Sequence, residues 1–480
     1  MTPRRAAPTP WGRADLVVAV VLYAAAAAWF LWLAAGASAQ GVITGEEASV
    51  SHRDAMALAV RWQPSIWSTN AAGQLFYWAA GHLDPDYGLL YARKWKAVAT
   101  ALLAPLLYAT ARRRLGCGRP SAVLAGVVGV VVPAVSLLAW VGIETPLDVV
   151  AGLAALLVVT SRTRWWWLGL VLAGVAVSLY TAALASAAAV VVVALVRAVR
   201  APLAFLVGAA GGALVVLAPL AWWRNGGIVV TGGGRAGPQP AAAGENLRDL
   251  AGHALDSGSS YYWFADLPAL GAPWIAAVLA GAALVGTAAR SGQLWPWVLA
   301  GLLAVGLYAV ASGVPGTRRV LLVATVLGLA AAVGVDVLTG FGGRAVPVVV
   351  PAVVPLLVLV VVATPMTTAT TAWRAEVAAG RPALPIDWPF PVDPGGDQAS
   401  TLARLADDLR AGRTTPRAVG DGWGGTRTLA MIFMLDERAG RAPALGPGDV
   451  LAYYRVSEDC PPLDGPACGV SASPAPAPGG

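Results

Sequence analysis

The chain has 480 residues, of which 57% are hydrophobic and 12% charged, with a mean hydropathy of +0.66. Soluble domains carry about 25% charge and disordered chains combine high charge with few apolar groups, so neither a soluble enzyme nor a disordered protein has this composition. All basic residues but Lys94 and Lys96 are Arg, and they give a net charge of +7; they cluster at the ends of apolar blocks, which points to orientation in a bilayer rather than to nucleic acid.

Apolar blocks of about 20 residues have the length that crosses a ~30 Å hydrocarbon layer as a helix. They predict membrane helices over 15–36, 95–113, 121–142, 146–161, 165–180, 181–197, 202–223, 271–289, 295–311, 320–339 and 346–364. The block 165–197 is too long for one span and divides at Tyr180–Thr181. AGASAQ after the first block resembles a signal-peptide cleavage site, but the apolar core from Leu16 to Ala35 exceeds the about 7–15 residues of a signal sequence. The block therefore reads as a retained first helix.

With the N-terminus inside, short inner connections hold Arg112, Arg113, Arg114, Arg119, Arg162, Arg164, Arg197 and Arg200, while the outer cations are spread through much longer loops. This density bias fixes the expected orientation. An odd number of crossings then puts the chain from about Pro365 outside, where Cys460 and Cys468, close in sequence, can pair as a disulfide. Cys117 falls on the inner side and stays reduced.

The expected architecture is an all-α polytopic membrane domain over 1–364, with long outer loops at 37–94 and 224–270. A small α/β extracytoplasmic domain follows over 365–470, with a helix at 398–411 and short strands near 429–435 and 449–456; 471–480 is a disordered tail. In the first outer loop, 44–62 and 70–83 mix polar residues with Val, Ala, Leu and aromatics, as helices lying along a membrane surface do.

Charged groups on the outer side carry the functional signal. Thr44-Gly45-Glu46-Glu47 places two adjacent carboxylates just beyond the first helix. Thr44 and Glu47 also fit a capping box, and a carboxylate in a first turn complements the helix dipole; reciprocal capping uses one glutamate and leaves Glu46 less well explained. Glu144 lies in the turn before Pro146, either as a solvated connector or as a third carboxylate facing the same compartment. Asp148 sits slightly deeper, where charge is costly. Arg93, Lys94 and Lys96 begin the second span, and Arg318 and Arg319 begin the tenth. Both clusters run against the usual charge bias. They suit a lipid-linked phosphate, for which Arg offers forked contacts; snorkelling to headgroups is the simpler alternative.

The order of these features resembles the GT-C superfamily of integral-membrane glycosyltransferases, in particular the branch of protein O-mannosyltransferases and aminoarabinose transferases. Gly45-Glu46-Glu47 matches that family's acidic pair, usually Gly-Asp-Glu; GQLFYWAAGHL and YGLLYARKWKAVATALLAPLLYATARRR are similar to its surface helix and second span. Glu144-Thr145-Pro146-Leu147 is similar to its acidic turn, and TRRVLLVATVLGL to the start of a late span. Glu46 stands where Asp is commoner, Val320 where an aromatic is frequent, and the Tyr that often follows the acidic pair is missing.

The resemblance implies transfer of a sugar from a polyprenyl-phosphate donor to a glycan, lipid or protein acceptor at the outer face of the cell membrane. It assigns Glu46 as base, Glu47 and Glu144 as orienting carboxylates, and Arg93, Arg318 and Arg319 as phosphate-binding groups. It fixes no cofactor and leaves a divalent metal open. A transporter or lipid flippase, or a non-catalytic membrane scaffold, is the alternative class; the spans hold few of the ionisable groups that a polar path needs.

Overall fold

The computed structural model of the chain describes residues 11–39, 66–67, 71–83, 89–143, 145–224, 229–230, 239–255, 270, 272–310, 321–342, 350–378 and 398–415, with Leu429, Ile432, Phe433, Asp436, 440–442 and 444–445 beyond them. Helices dominate. In a hydrocarbon layer a helix satisfies its own backbone donors and acceptors, and the Ala-, Val- and Leu-rich blocks place few polar side chains against lipid. Among the described residues, five helical runs are long and apolar enough to cross a membrane: Arg13–Gly36, Thr181–Ala198, Pro273–Ala309, Leu321–Gly340 and Val353–Ala375. Shorter apolar helices run over Arg119–Val131, Leu147–Val159, Leu168–Leu179 and Pro202–Ala218. The described chain is a polytopic, all-α membrane protein.

Helix α1 (Arg13–Ala39) is followed by α2 (Ala71–Leu83), α3 (Leu89–Thr100) and α4 (Leu103–Arg113). The span expected over 95–113 is thus interrupted at 101–102, and α3 begins earlier. The third expected span is also two pieces, α5 (Arg119–Val131) and α6 (Pro133–Leu138). The break has a local cause: Val132 precedes Pro133 and takes φ −51°, ψ 124°, because the proline ring disfavours helical geometry in the residue before it.

After α7 (Leu147–Val159) comes α8 (Leu168–Leu179), which ends at Tyr180 in an extended conformation (φ −158°, ψ 143°). A short 3-10 turn at Thr181–Ala183 leads into α9 (Leu184–Ala198), so the division expected at Tyr180–Thr181 is present. Helices α10 (Pro202–Arg224) and α11 (Ala243–Leu255) precede α12 (Pro273–Ala309). If straight, the 37 residues of α12 would extend about 55 Å, well beyond one hydrocarbon layer. Arg290 leaves helical geometry (φ −128°, ψ 34°) and divides the run into two arms, as the expected spans 271–289 and 295–311 require.

Helices α13 (Leu321–Gly342) and α14 (Val350–Ala378) complete the bundle. Helix α14 continues through Pro355 and Pro365, past the end expected at 364. Its Thr-rich second half hides its own polarity: Thr367 donates to the Ala363 carbonyl at 2.9 Å and Thr370 to that of Met366 at 3.0 Å. This lets Met366, Thr370 and Trp373 be buried. Helix α15 (Gln398–Arg410) lies where 398–411 was expected. In place of a strand near 429–435, Leu429, Ile432, Phe433 and Asp436 are helical and buried. Their spacing is that of one helix face, which a short apolar run conceals. The strand expected near 449–456 lies outside the described residues.

Small residues set the closest helix contact. A Cβ on Gly334 would lie 1.8 Å from the Ala282 carbonyl oxygen, and one on Gly286 2.4 Å from that of Ala330. Helices α12 and α13 therefore meet backbone to backbone, the packing that replaces a hydrophobic driving force inside lipid.

One end of the bundle is rich in arginine. There the Asp15 carboxylate, 2% exposed, accepts from the Tyr108 hydroxyl at 2.7 Å, Arg112 Nε at 3.2 Å, Arg119 Nε at 3.0 Å and the Gly12 amide at 3.1 Å. Arg290 pairs with Asp336 at 2.7 Å and donates to the Leu115 carbonyl at 2.6 Å, while Asp336 accepts from the Gly118 amide at 2.7 Å. Burial, and then the nearby Arg113, Arg197 and Arg162, pull the Arg114 guanidinium down to about 10. Two-residue strands, β1 (Ile66–Trp67) and β2 (Val229–Val230), pair in parallel. The two strands fall within the segments 37–94 and 224–270 expected as outer loops.

Candidate functional site

The site is built around the irregular stretch 139–146, between α6 and α7. Trp140, Val141, Ile143 and Thr145 there are all buried, and the Thr145–Pro146 peptide is cis. Outside a helix, the carbonyls of such a stretch need donors from elsewhere. They find them on α2 and α3.

Arg93 and Lys96 stand three residues apart on α3 and so share a face. They are 1% and 0% exposed. Buried cations are costly unless their hydrogen bonds are met. The Lys96 ammonium donates to the Val141 carbonyl at 3.2 Å, and also to those of Ile143 and Thr145. From α2, the Tyr77 hydroxyl donates to the Ile143 carbonyl at 2.7 Å. The Arg93 guanidinium lies over the Trp140 ring, 5.1 Å from its centroid, in the range of a cation–π contact.

Indoles line the same end. Trp140 packs against Trp373 of α14 with ring centroids 6.1 Å apart. Trp29 of α1 donates from Nε1 to the Ser136 hydroxyl at 3.1 Å and stacks on Trp32 at 5.3 Å. Arg374 in turn lies 3.9 Å over the Trp32 ring and donates from Nε to the Trp32 carbonyl at 3.0 Å. Four Trp and three cations from α1, α3, α14 and the 139–146 stretch thus occupy one end of the bundle, opposite the Asp15 cluster. Asp148, in the first turn of α7, is 2% exposed.

Of the residues singled out from the sequence, the structure brings Arg93 against the stretch that contains position 144. Glu144 itself lies outside the described residues, although Ile143 and Thr145 on either side of it are held as above. Glu46, Glu47, Arg318, Arg319, Cys460 and Cys468 also lie outside the described residues. Lys96 was noted in the sequence only as part of the Arg93–Lys94–Lys96 cluster, and Tyr77 was not distinguished. The usable signal was the three-residue spacing of Arg93 and Lys96 on one helix, which predicts two cations on one face. Among the described residues no three His, Cys, Asp or Glu side chains gather in a way that could hold a metal ion.

No protein-family model matches the chain, and no characterised protein matches it in sequence. Among solved structures it is similar to the crystal structure of ArnT from Cupriavidus metallidurans bound to undecaprenyl phosphate. The identity is 16%, the match covers 92% of this chain and 87% of that one, and the TM-score is 0.49.

Proposed function

We propose that the chain transfers a sugar from a polyprenyl-phosphate donor to an acceptor hydroxyl at the extracytoplasmic face of the cell membrane, in the assembly of envelope glycans or glycoproteins. The observation that carries this reading is the pair of buried cations, Arg93 and Lys96, set against the stretch that includes Glu144. Arg93 lies over the Trp140 ring at the end of the bundle that this reading makes extracytoplasmic, and a guanidinium offers the forked donors that suit a lipid phosphate.

In the proposed reaction the acceptor oxygen attacks the anomeric carbon, a new C–O bond forms, and the bond to the phosphate oxygen breaks. Glu46 takes the hydroxyl proton as general base. Glu47 and Glu144 orient the sugar or the acceptor. Phosphate departs as an anion, so cations at Arg93, Arg318 and Arg319 stabilise it where a glycosidase would need a general acid. The arginine-rich end is cytoplasmic in this reading, by the charge bias of membrane loops, and the segment after α14 is extracytoplasmic.

Purified protein in liposomes with a labelled polyprenyl-phosphate sugar tests the proposal. The parent should form glycosidic product, and Glu46→Gln should lower its rate by roughly 100-fold, within the range seen for positioned acid–base groups. Lipid scrambling or solute flux with no product would overturn it in favour of transport. Mass analysis of envelope glycans from cells lacking the gene would identify donor and acceptor.

A further inference from the structure

We infer that Lys96 and Tyr77 are positioning residues for this transfer, two donors from different helices that fix the backbone on both sides of Glu144. The inference rests on the transferase reading above. It deepens that reading, because neither residue is assigned there to base, sugar or phosphate.

The geometry is specific. Carbonyls of Val141, Ile143 and Thr145 alternate along the chain, and all three accept from one ammonium. An ammonium carries three N–H donors that can rotate into such a cage, whereas a guanidinium is a flat fork. At 0% exposure the Lys96 charge is surrounded by protein, so carbonyl dipoles take over part of the role of water. A carbonyl oxygen accepts two hydrogen bonds, and that of Ile143 receives both, from Lys96 and from the Tyr77 hydroxyl at 2.7 Å.

The two donors also couple separate elements. Tyr77 is fully buried on α2, and Phe76 beside it meets its ring edge-on at 5.2 Å. Lys96 is buried on α3, one turn from Arg93. The helix that supplies a phosphate-binding cation therefore also grips the chain next to a catalytic carboxylate. A shift of Arg93 relative to position 144 has to break this clamp. Misplacement of a reacting group by about 1 Å costs roughly 100-fold in rate, so the clamp should act on turnover rather than on donor affinity.

Full-length protein in liposomes separates the possibilities through Tyr77→Phe, which removes only a hydroxyl, and Lys96→Met, which keeps the stem and removes the ammonium. Expected are kcat losses of roughly tenfold and roughly 100-fold, with KM for the labelled polyprenyl-phosphate sugar unchanged within about twofold. Amide hydrogen exchange over 140–149 should quicken in both variants while exchange over 321–335 stays at the parental rate. Parental kcat and parental exchange in Tyr77→Phe would overturn the inference. A raised KM at parental kcat in Lys96→Met would overturn it too, making Lys96 a ligand of the donor phosphate. Should Lys96→Met not fold, Tyr77→Phe alone decides. A parent protein that forms no product refutes the transferase reading instead, and exchange over 140–149 then still decides whether the clamp exists.

Discussion

Both ends of the helical bundle hold cations on indole faces and backbone carbonyls: Arg113 lies over Trp11 and Arg197 over Trp166 at the arginine-rich end, as Arg93 lies over Trp140 at the other. At the arginine-rich end, cations also meet carboxylates: Asp15 holds Arg112 and Arg119, and Asp336 holds Arg290. At the other end, contacts of Arg93, Lys96 and Arg374 include indole faces and backbone carbonyls. Paired carboxylates cancel charge and lock helix ends together. Indole faces and backbone carbonyls take over part of the role of water around a buried cation. In the proposed reaction the first end is architectural and the second binds the lipid phosphate.

The largest effect should come from breaking the first end. Asp15→Ala leaves a buried Tyr108 hydroxyl and the Arg112 guanidinium without their shared acceptor. A buried pair broken on one side costs about 3–5 kcal/mol, so thermal unfolding in detergent should shift far downward. Transfer per folded molecule should stay at the parental level; a selective loss of turnover would blur the division between the ends. Arg93→Ala should do the reverse. Transfer should fall roughly 100-fold, as for removal of a group that stabilises developing charge, with a much smaller change in melting temperature.

A smaller, purely architectural effect is expected at Gly334. The methyl of Gly334→Ala would meet the Ala282 carbonyl oxygen at 1.8 Å, so the helices must separate. Overpacking of this kind costs about 1–3 kcal/mol, readable as a lower melting temperature with KM for the donor unchanged. The smallest effect concerns Cys117, in the connection between α4 and α5. Burial, with Asp336 adding to it, pushes this thiol from its ordinary 9.0 up to about 12. Between those values the unfolded chain releases a proton that the folded chain keeps, so stability should fall as pH rises through that window. The slope is at most about 1.4 kcal/mol per pH unit, and melts of Cys117→Ala from pH 8 to pH 10.5 should lack that part of it.

Much of the bundle was legible because apolar block length is a direct consequence of membrane thickness. Even the break at Tyr180 followed from a block too long for one span. The break at Val132 had its cause in plain sight at Pro133 but was masked by the unbroken apolar run around it. The extension of α14 was obscured by threonines that read as polar until their hydroxyls are seen bonding back to their own helix. Leu429, Ile432, Phe433 and Asp436 carried helical spacing inside a run short enough to pass for a strand. In the site, Arg93 stood out in the sequence as a cation where charge bias leads one to expect few. Lys96 was noted beside it, but its three carbonyl partners, some 45 to 49 residues further along the chain, were not; backbone acceptors leave no trace in residue identity.

The most direct test compares Arg93→Ala with Asp15→Ala in one assay, transfer from a labelled polyprenyl-phosphate sugar in liposomes, with each rate normalised to folded protein. The account predicts product from the parent, roughly 100-fold less from Arg93→Ala, and a parental rate from Asp15→Ala. Parental transfer by Arg93→Ala, or no product from the parent, would contradict it.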